Sequence, residues 1–185
     1  MIDDTLRDAE SKMKKSVDAL RRELSTIRTG RASTALVEHL TADYYGTPTP
    51  LNQLGTISTP EPRLITIQAW DKQAVASIEK AIQKSDLGLN PATDGMVVRV
   101  PVPTLTEDRR RDLTKVVRKR VEEDKIAIRN VRRDAIEQLR AQEKAKSISE
   151  DELKRGQDRL QTLTDTHVKQ ADQLGAQKEA DLLEV

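Results

Sequence analysis

A chain of 185 residues has room for one or two domains. Charged residues make up 34% of it and aromatics 2%, with no Phe, which excludes an aromatic-rich core and leaves one of Leu, Ile, Val and Ala on long helices. The lack of cysteine removes disulfides, thiolate catalysis and Cys-ligated metal together, and a formal net charge of +1 says nothing by itself about a polyanionic partner.

Ile2, Leu6, Ala9, Met13, Val17, Leu20, Leu24 and Ile27 recur every three or four residues, which predicts an amphipathic helix over residues 1–29 with a narrow seam. Such a helix cannot bury its stripe alone. Gly30 stands where a C-terminal cap is expected, with Arg28 and Arg31 on either side.

The texture changes over residues 30–105. All seven prolines fall between Pro48 and Pro103, and the only aromatics are here: Tyr44, Tyr45 and Trp70. Residues 36–40, 42–45, 64–70 and 96–102 read as short β runs separated by turn residues, and Val75, Ile78 and Ile82 mark one short helix from Lys72 to about Ser85. This is a small α/β module inserted between the first helix and its partners. The chain would cross between domains twice, at Thr29-Gly30 and through Pro101-Val102-Pro103-Thr104-Leu105. Prolines on one crossing and glycine on the other predict a semi-rigid hinge.

A long helix is predicted from Thr106, as N-cap, to about Ala145, uninterrupted by Gly or Pro and roughly 60 Å in length. Leu113, Val117, Val121, Ile128, Val131, Ala135 and Leu139 form one stripe, which Asp124 interrupts. Arg111, Arg118, Lys125, Arg129 and Arg132 fall within about 60° of arc beside it. Residues 106–146 hold 14 Lys and Arg against 9 Asp and Glu, whereas residues 147–185 hold 5 against 9. One basic helix on a near-neutral molecule fits a local polyanion contact.

Ser149 with Glu152 is a capping-box signature opening a third long helix, to about Leu183. Its apolar face reads Leu153, Leu160, Leu163, Val168, Ala171, Leu174 and Leu182, with Gly156, His167 and Gly175 as irregularities. The fold expected is α+β in two domains: a long antiparallel three-helix bundle from residues 1–29 and 106–185, with a small β-rich α/β domain, 30–105, inserted into it.

Catalytic chemistry is hard to find. His39, in a predicted strand, and His167, in a helix, have no metal-ligand spacing, and no phosphate-loop, dinucleotide or nucleophile-elbow motif occurs. No enzyme, cofactor or metal is expected. Met1-Ile2-Asp3-Asp4 lacks a basic leader and an apolar core, and no stretch approaches 18 apolar residues, so a cytoplasmic protein without membrane contact is expected; separately, a monomer is expected. In the run 126–135, Arg129, Arg132 and Arg133 on neighbouring turns could follow a phosphate backbone, their forks binding in bidentate fashion, or form a salt-bridged exposed helix face.

Six motifs carry a resemblance: Ile27-Arg-Thr-Gly-Arg-Ala-Ser33, Asp43-Tyr-Tyr-Gly-Thr-Pro-Thr-Pro-Leu51, Ser85-Asp-Leu-Gly-Leu-Asn-Pro91, Arg99-Val-Pro-Val-Pro103, Leu105-Thr-Glu-Asp-Arg-Arg-Arg-Asp-Leu-Thr-Lys115 and Val131-Arg-Arg-Asp134. In order and near full length, they resemble the ribosome recycling factor family. The resemblance implies a factor of bacterial or organellar type that binds the large ribosomal subunit after termination. With elongation factor G and GTP it would split the ribosome and release it from mRNA. It also implies ribosomal-RNA contacts at Arg129, Arg132 and Arg133 on the bundle, and at Arg28, Arg31 and Arg110 near the hinge. A structural helical adaptor and a general RNA-binding chaperone are the alternatives, the second disfavoured by neutral charge and few stacking aromatics.

Overall fold

The computed structural model describes residues 2–184. Among these described residues the architecture is α+β: four α-helices, a two-stranded sheet and a four-stranded sheet. The chain divides into two compact units, Met1–Leu24 with Asp112–Ala180, and Ser25–Arg111 with Asp181–Val185.

The first unit is helical, built from α1 (Ile2–Ser25), α3 (Glu107–Lys144) and α4 (Glu150–Leu183). Leu6 and Ala9 of α1, Ala135 and Leu139 of α3, Ile148 of the connector after α3 and Leu160 of α4 form one cluster. Further along, Arg120 on α3 meets Glu23 on α1, so α1 and α3 run antiparallel. Arg118 meets Glu179 and Arg132 meets Gln161, so α3 and α4 do too. Leu139 and Leu160 are fully buried, and truncating either to Ala should cost about 2–5 kcal/mol.

The α4 seam differs from the expected one. Leu160, Thr164, His167 and Ala171 are buried, and Gly156 and Gly175 lie in the same seam, whereas Leu153, Leu163 and Leu174 are only half-buried. The apparent irregularities are therefore the packing face. A Cβ on Gly156 would stand 2.7 Å from Leu139 Cδ1, and one on Gly175 2.6 Å from Val121 Cγ2, so glycine permits close helix approach. His167 is likewise no surface residue; its Nδ1 sits 2.7 Å from the Leu163 carbonyl.

Helix ends follow local chemistry. Thr106 Oγ1 accepts from Arg109 N at 3.1 Å, a cap worth about 1 kcal/mol. Ser149 and Glu152 bond reciprocally, at 2.7 and 3.1 Å, across the start of α4. Between these helices Lys146 adopts φ +57°, with Ser147 N donating to Gln142 O and Lys146 N to Glu143 O, a left-handed C-terminal cap formed without glycine. At α1 the expectation fails: the helix stops at Ser25, and Gly30, without a positive φ, does not cap it.

The second unit holds β1 (Thr41–Tyr44), β2 (Thr47–Pro50), β3 (Gly55–Glu61), β4 (Leu64–Ala69), α2 (Val75–Lys84), β5 (Ala92–Asp94) and β6 (Val97–Pro101). β1 and β2 pair antiparallel around Tyr45-Gly46, both with positive φ, as a two-residue hairpin turn demands. The larger sheet runs β3-β4-β6-β5, antiparallel throughout. Its buried face, Ile65, Ile67, Ala69, Val98 and Val100, shares a core with Val75, Ile78 and Ile82 of α2. The other face presents Thr56, Ser58, Gln68 and Arg99.

Residues 36–40 are not a strand. A 3-10 turn, Thr34–Leu36, capped by Ser33, buries Leu36 and Val37 and leaves His39 in an exposed turn. Strands β2, β3 and β5 were not expected. Pro48, Pro50 and Pro60 are tolerated because β2 lies in a two-stranded ribbon and β3 at a sheet edge, where missing donors face solvent.

The boundaries of these compact units fall at residues 24/25, 111/112 and 180/181. They lie within α1, α3 and α4, and the end of α4 goes with the sheet unit, so the chain passes between units three times. Within the second unit, Arg28 Nη2 donates to Pro103 O at 2.5 Å, Val102 N donates to Arg63 O at 2.8 Å, and Leu182 is fully buried. These bonds tie the flanking segments into the second unit.

Candidate nucleic-acid interface

The cations of α3 separate into two rows once α4 is in place. Arg118, Lys125 and Arg132 form the inner row, closest to the buried stripe. Arg118 Nε pairs with Glu179 at 2.6 Å and Lys125 Nζ with Asp172 at 3.1 Å. Arg132, half-buried, instead donates Nη1 to the side-chain amide oxygen of Gln161 at 2.9 Å. The inner row is largely spent on intramolecular partners. The basic stripe expected from sequence is to that extent a salt-bridged helix face.

Arg129, Arg133 and Arg140 form the outer row, within about 40° of arc at 100° per residue. All three are exposed. Arg129 approaches only Glu122, at 4.0 Å, while Arg133 and Arg140 have no ion-pair partner among the described residues. At 1.5 Å per residue the row extends about 16 Å along the helix. Arg140 was not singled out from the sequence, because only α4 shows which cations are already neutralised. An outer row of this kind can meet several phosphates at once, the forks giving direction as well as charge.

The other three expected contacts lie in the second unit. Arg28 is half-buried, its Nε buried without a hydrogen-bond acceptor, and burial together with the charge of Arg109 lowers its pKa. Arg31 is exposed and pairs with Glu184 at 3.8 Å, an interaction worth little at such a surface. Arg110 is half-buried in the first turns of α3. Thus the six arginines divide three and three between the units, and only Arg129, Arg132 and Arg133 are brought together on one helix face.

The second unit also displays a surface that sequence reading missed. Tyr45, Trp70 and Met96 are exposed at 75%, 64% and 39%. Trp70 Nε1 donates to Thr56 Oγ1 at 3.1 Å, which fixes the indole. Beside it the Tyr44 hydroxyl donates to Asp71 Oδ2 at 2.6 Å; this bond pushes the phenol up to about 12 and lowers the Asp71 pKa. Among the described residues no group of three or more His, Asp or Glu side chains could hold a metal ion, and no helix is long and apolar enough to cross a membrane.

Comparison with known proteins places this arrangement. A family model described as Ribosome recycling factor matches residues 20–183. Over 185 residues the chain is 57% identical to the ribosome-recycling factor of Thermomicrobium roseum and 58% identical to that of Chloroflexus aurantiacus, with all of each chain covered. A solution structure of the ribosome recycling factor superposes with a TM-score of 0.79 at 47% identity, over 100% of this chain and 98% of that one. Similar too, at TM-score 0.70 and 43% identity over the whole of both chains, is a chain from models for the T. thermophilus ribosome recycling factor and the E. coli elongation factor G bound to the E. coli post-termination complex. The family that these matches define is one of non-enzymatic translation factors. The chain belongs to the ribosome recycling factor family.

Proposed function

We propose that this chain binds the large ribosomal subunit of the post-termination complex and, with elongation factor G and GTP hydrolysis on that partner, splits the ribosome into subunits and releases it from mRNA. The observation that carries the reading is likeness across the whole chain to ribosome recycling factors, one of them placed with elongation factor G on such a complex. The outer row of α3, together with Arg132 of the inner row, which meets no carboxylate, is its physical counterpart. Arg129, Arg132 and Arg133 contact ribosomal RNA from the helical part, and Arg28, Arg31 and Arg110 do so near the inter-domain segments. Residues 1–29 and 106–185 carry most of the subunit affinity, residues 30–105 act as a separate domain, and Thr29, Gly30 and Pro101–Leu105 form the hinge. Buried Val102 and Leu105 make that hinge guided and not freely flexible. The factor works as a monomer in the cytoplasm.

Cosedimentation with purified large subunits across a salt series, followed by a light-scattering assay of subunit splitting, tests this. Salt-sensitive binding and splitting dependent on elongation factor G and GTP are expected. Absence of binding, or equal affinity for unrelated RNAs, would overturn the reading in favour of an adaptor or a general chaperone.

A further inference from the structure

Arg132 differs from its inner-row neighbours in what it meets on α4. Arg118 and Lys125 face carboxylates directly, whereas Arg132 faces an amide. Gln161 accepts from Arg132 Nη1 through Oε1 at 2.9 Å and donates through Nε2 to Asp165 Oδ1 at 2.8 Å. The sense of this chain is unambiguous, because a guanidinium only donates and an ionised carboxylate only accepts. The amide is therefore locked in one orientation by a partner four residues along the same helix. From the geometry we infer that Gln161, held by Asp165, is a positioning residue that presents the Arg132 guanidinium to ribosomal RNA.

The physical case rests on charge. A carboxylate in contact with an arginine fixes its geometry but cancels much of its field. A neutral amide fixes the geometry and leaves the positive charge available to a phosphate. Only one of the five guanidinium N–H groups is used by Gln161, so the rest of the fork remains open. Holding a long side chain beforehand also removes part of the ordering cost of binding. The inference rests on the proposed role of Arg132 in RNA contact, and the experiment separates the two.

Affinity for purified large subunits is measured for the full chain and for Arg132→Ala, Gln161→Ala, Gln161→Glu and the double variant Arg132→Ala/Gln161→Ala, with thermal melting as a control on folding. Gln161→Ala should weaken binding about three- to tenfold at an unchanged melting temperature, yet have no further effect once Arg132 is Ala. Gln161→Glu keeps an acceptor beside Arg132 but neutralises it, so it should also weaken binding. Equal losses from Gln161→Ala with and without Arg132, no loss while Arg132→Ala loses affinity, or full affinity in Gln161→Glu would overturn the positioning role alone. Unchanged affinity in Arg132→Ala would overturn the RNA contact itself, and the positioning role with it.

Discussion

Ser16 on α1 donates its hydroxyl proton to Asp124 on α3, inside the helical unit where Asp124 is only 9% exposed. The second carboxylate oxygen is buried without a partner. Burial chiefly, aided by the charge of Glu23, raises the Asp124 pKa against the opposing effect of Ser16. The folded state thus holds this proton more tightly than the unfolded one. Through the window from 3.8 up to the raised value, stability falls as pH rises, and the ionised group is a cost above it. Asp124→Asn should therefore gain stability relative to the parent at neutral pH, an advantage that shrinks towards acid. Ser16→Ala should lose about 1–2 kcal/mol at neutral pH. Melting curves of both variants between pH 4 and 7 check the pair; an advantage of Asp124→Asn that grows towards acid would contradict it.

Asp124 shows where sequence reading stops. The stripe Leu113 to Leu139 is legible because periodicity is local, and so is the Ser149–Glu152 capping box. A charge on that stripe reads as an interruption until the serine on another helix is placed beside it. Gly156 and Gly175 read as flaws because hydrophobicity carries no information about how closely two helices approach. β2 and β3 were hidden by prolines that only an edge or ribbon position excuses. The candidate interface was half legible: Arg129, Arg132 and Arg133 stand out by spacing, but their division from Arg118 and Lys125 depends on Glu179 and Asp172.

Close approach at Gly175 has a measurable cost of substitution. Alanine would normally stabilise a helix by about 1 kcal/mol over glycine. Here its Cβ would meet Val121 Cγ2 at 2.6 Å, and a valine in a helix has essentially one rotamer to offer. Overpacking costs about 1–3 kcal/mol, so Gly175→Ala should be net destabilising by about 1 kcal/mol in denaturant unfolding. Adding Val121→Ala should make the pair less than additive; strict additivity would show that the two do not touch.

Gly30 offers a test of the hinge that leaves the fold alone. Its φ is not positive, and an added Cβ would meet nothing nearer than Glu184 O at 3.5 Å, an ordinary contact. Gly30→Ala should therefore leave stability unchanged or raise it by about 0.4–1 kcal/mol, chiefly through the unfolded chain. If bending at Thr29-Gly30 is part of the working cycle, large-subunit affinity should be retained while the splitting rate with elongation factor G falls. Equal splitting rates for the variant and the parent would remove Gly30 from the hinge.

The two cationic rows of α3 make opposite predictions for two arginines. Arg118 is paired with Glu179 at the surface, so Arg118→Ala should cost stability of up to about 1 kcal/mol and leave subunit affinity nearly intact. Arg133 has no such partner, so Arg133→Ala should change stability by less than about 0.5 kcal/mol. Its loss should appear in binding instead, at about 1–3 kcal/mol, with the slope of log affinity against log salt reduced by about one. Arg133→Lys should recover the salt slope, because the charge is restored, but only part of the affinity, because a point charge replaces a planar fork. Melting temperature and salt-dependent cosedimentation on the same preparations decide the matter. If Arg118→Ala lowered affinity and Arg133→Ala lowered only the melting temperature, the carboxylate-paired cations Arg118 and Lys125, and not the outer row, would face the RNA.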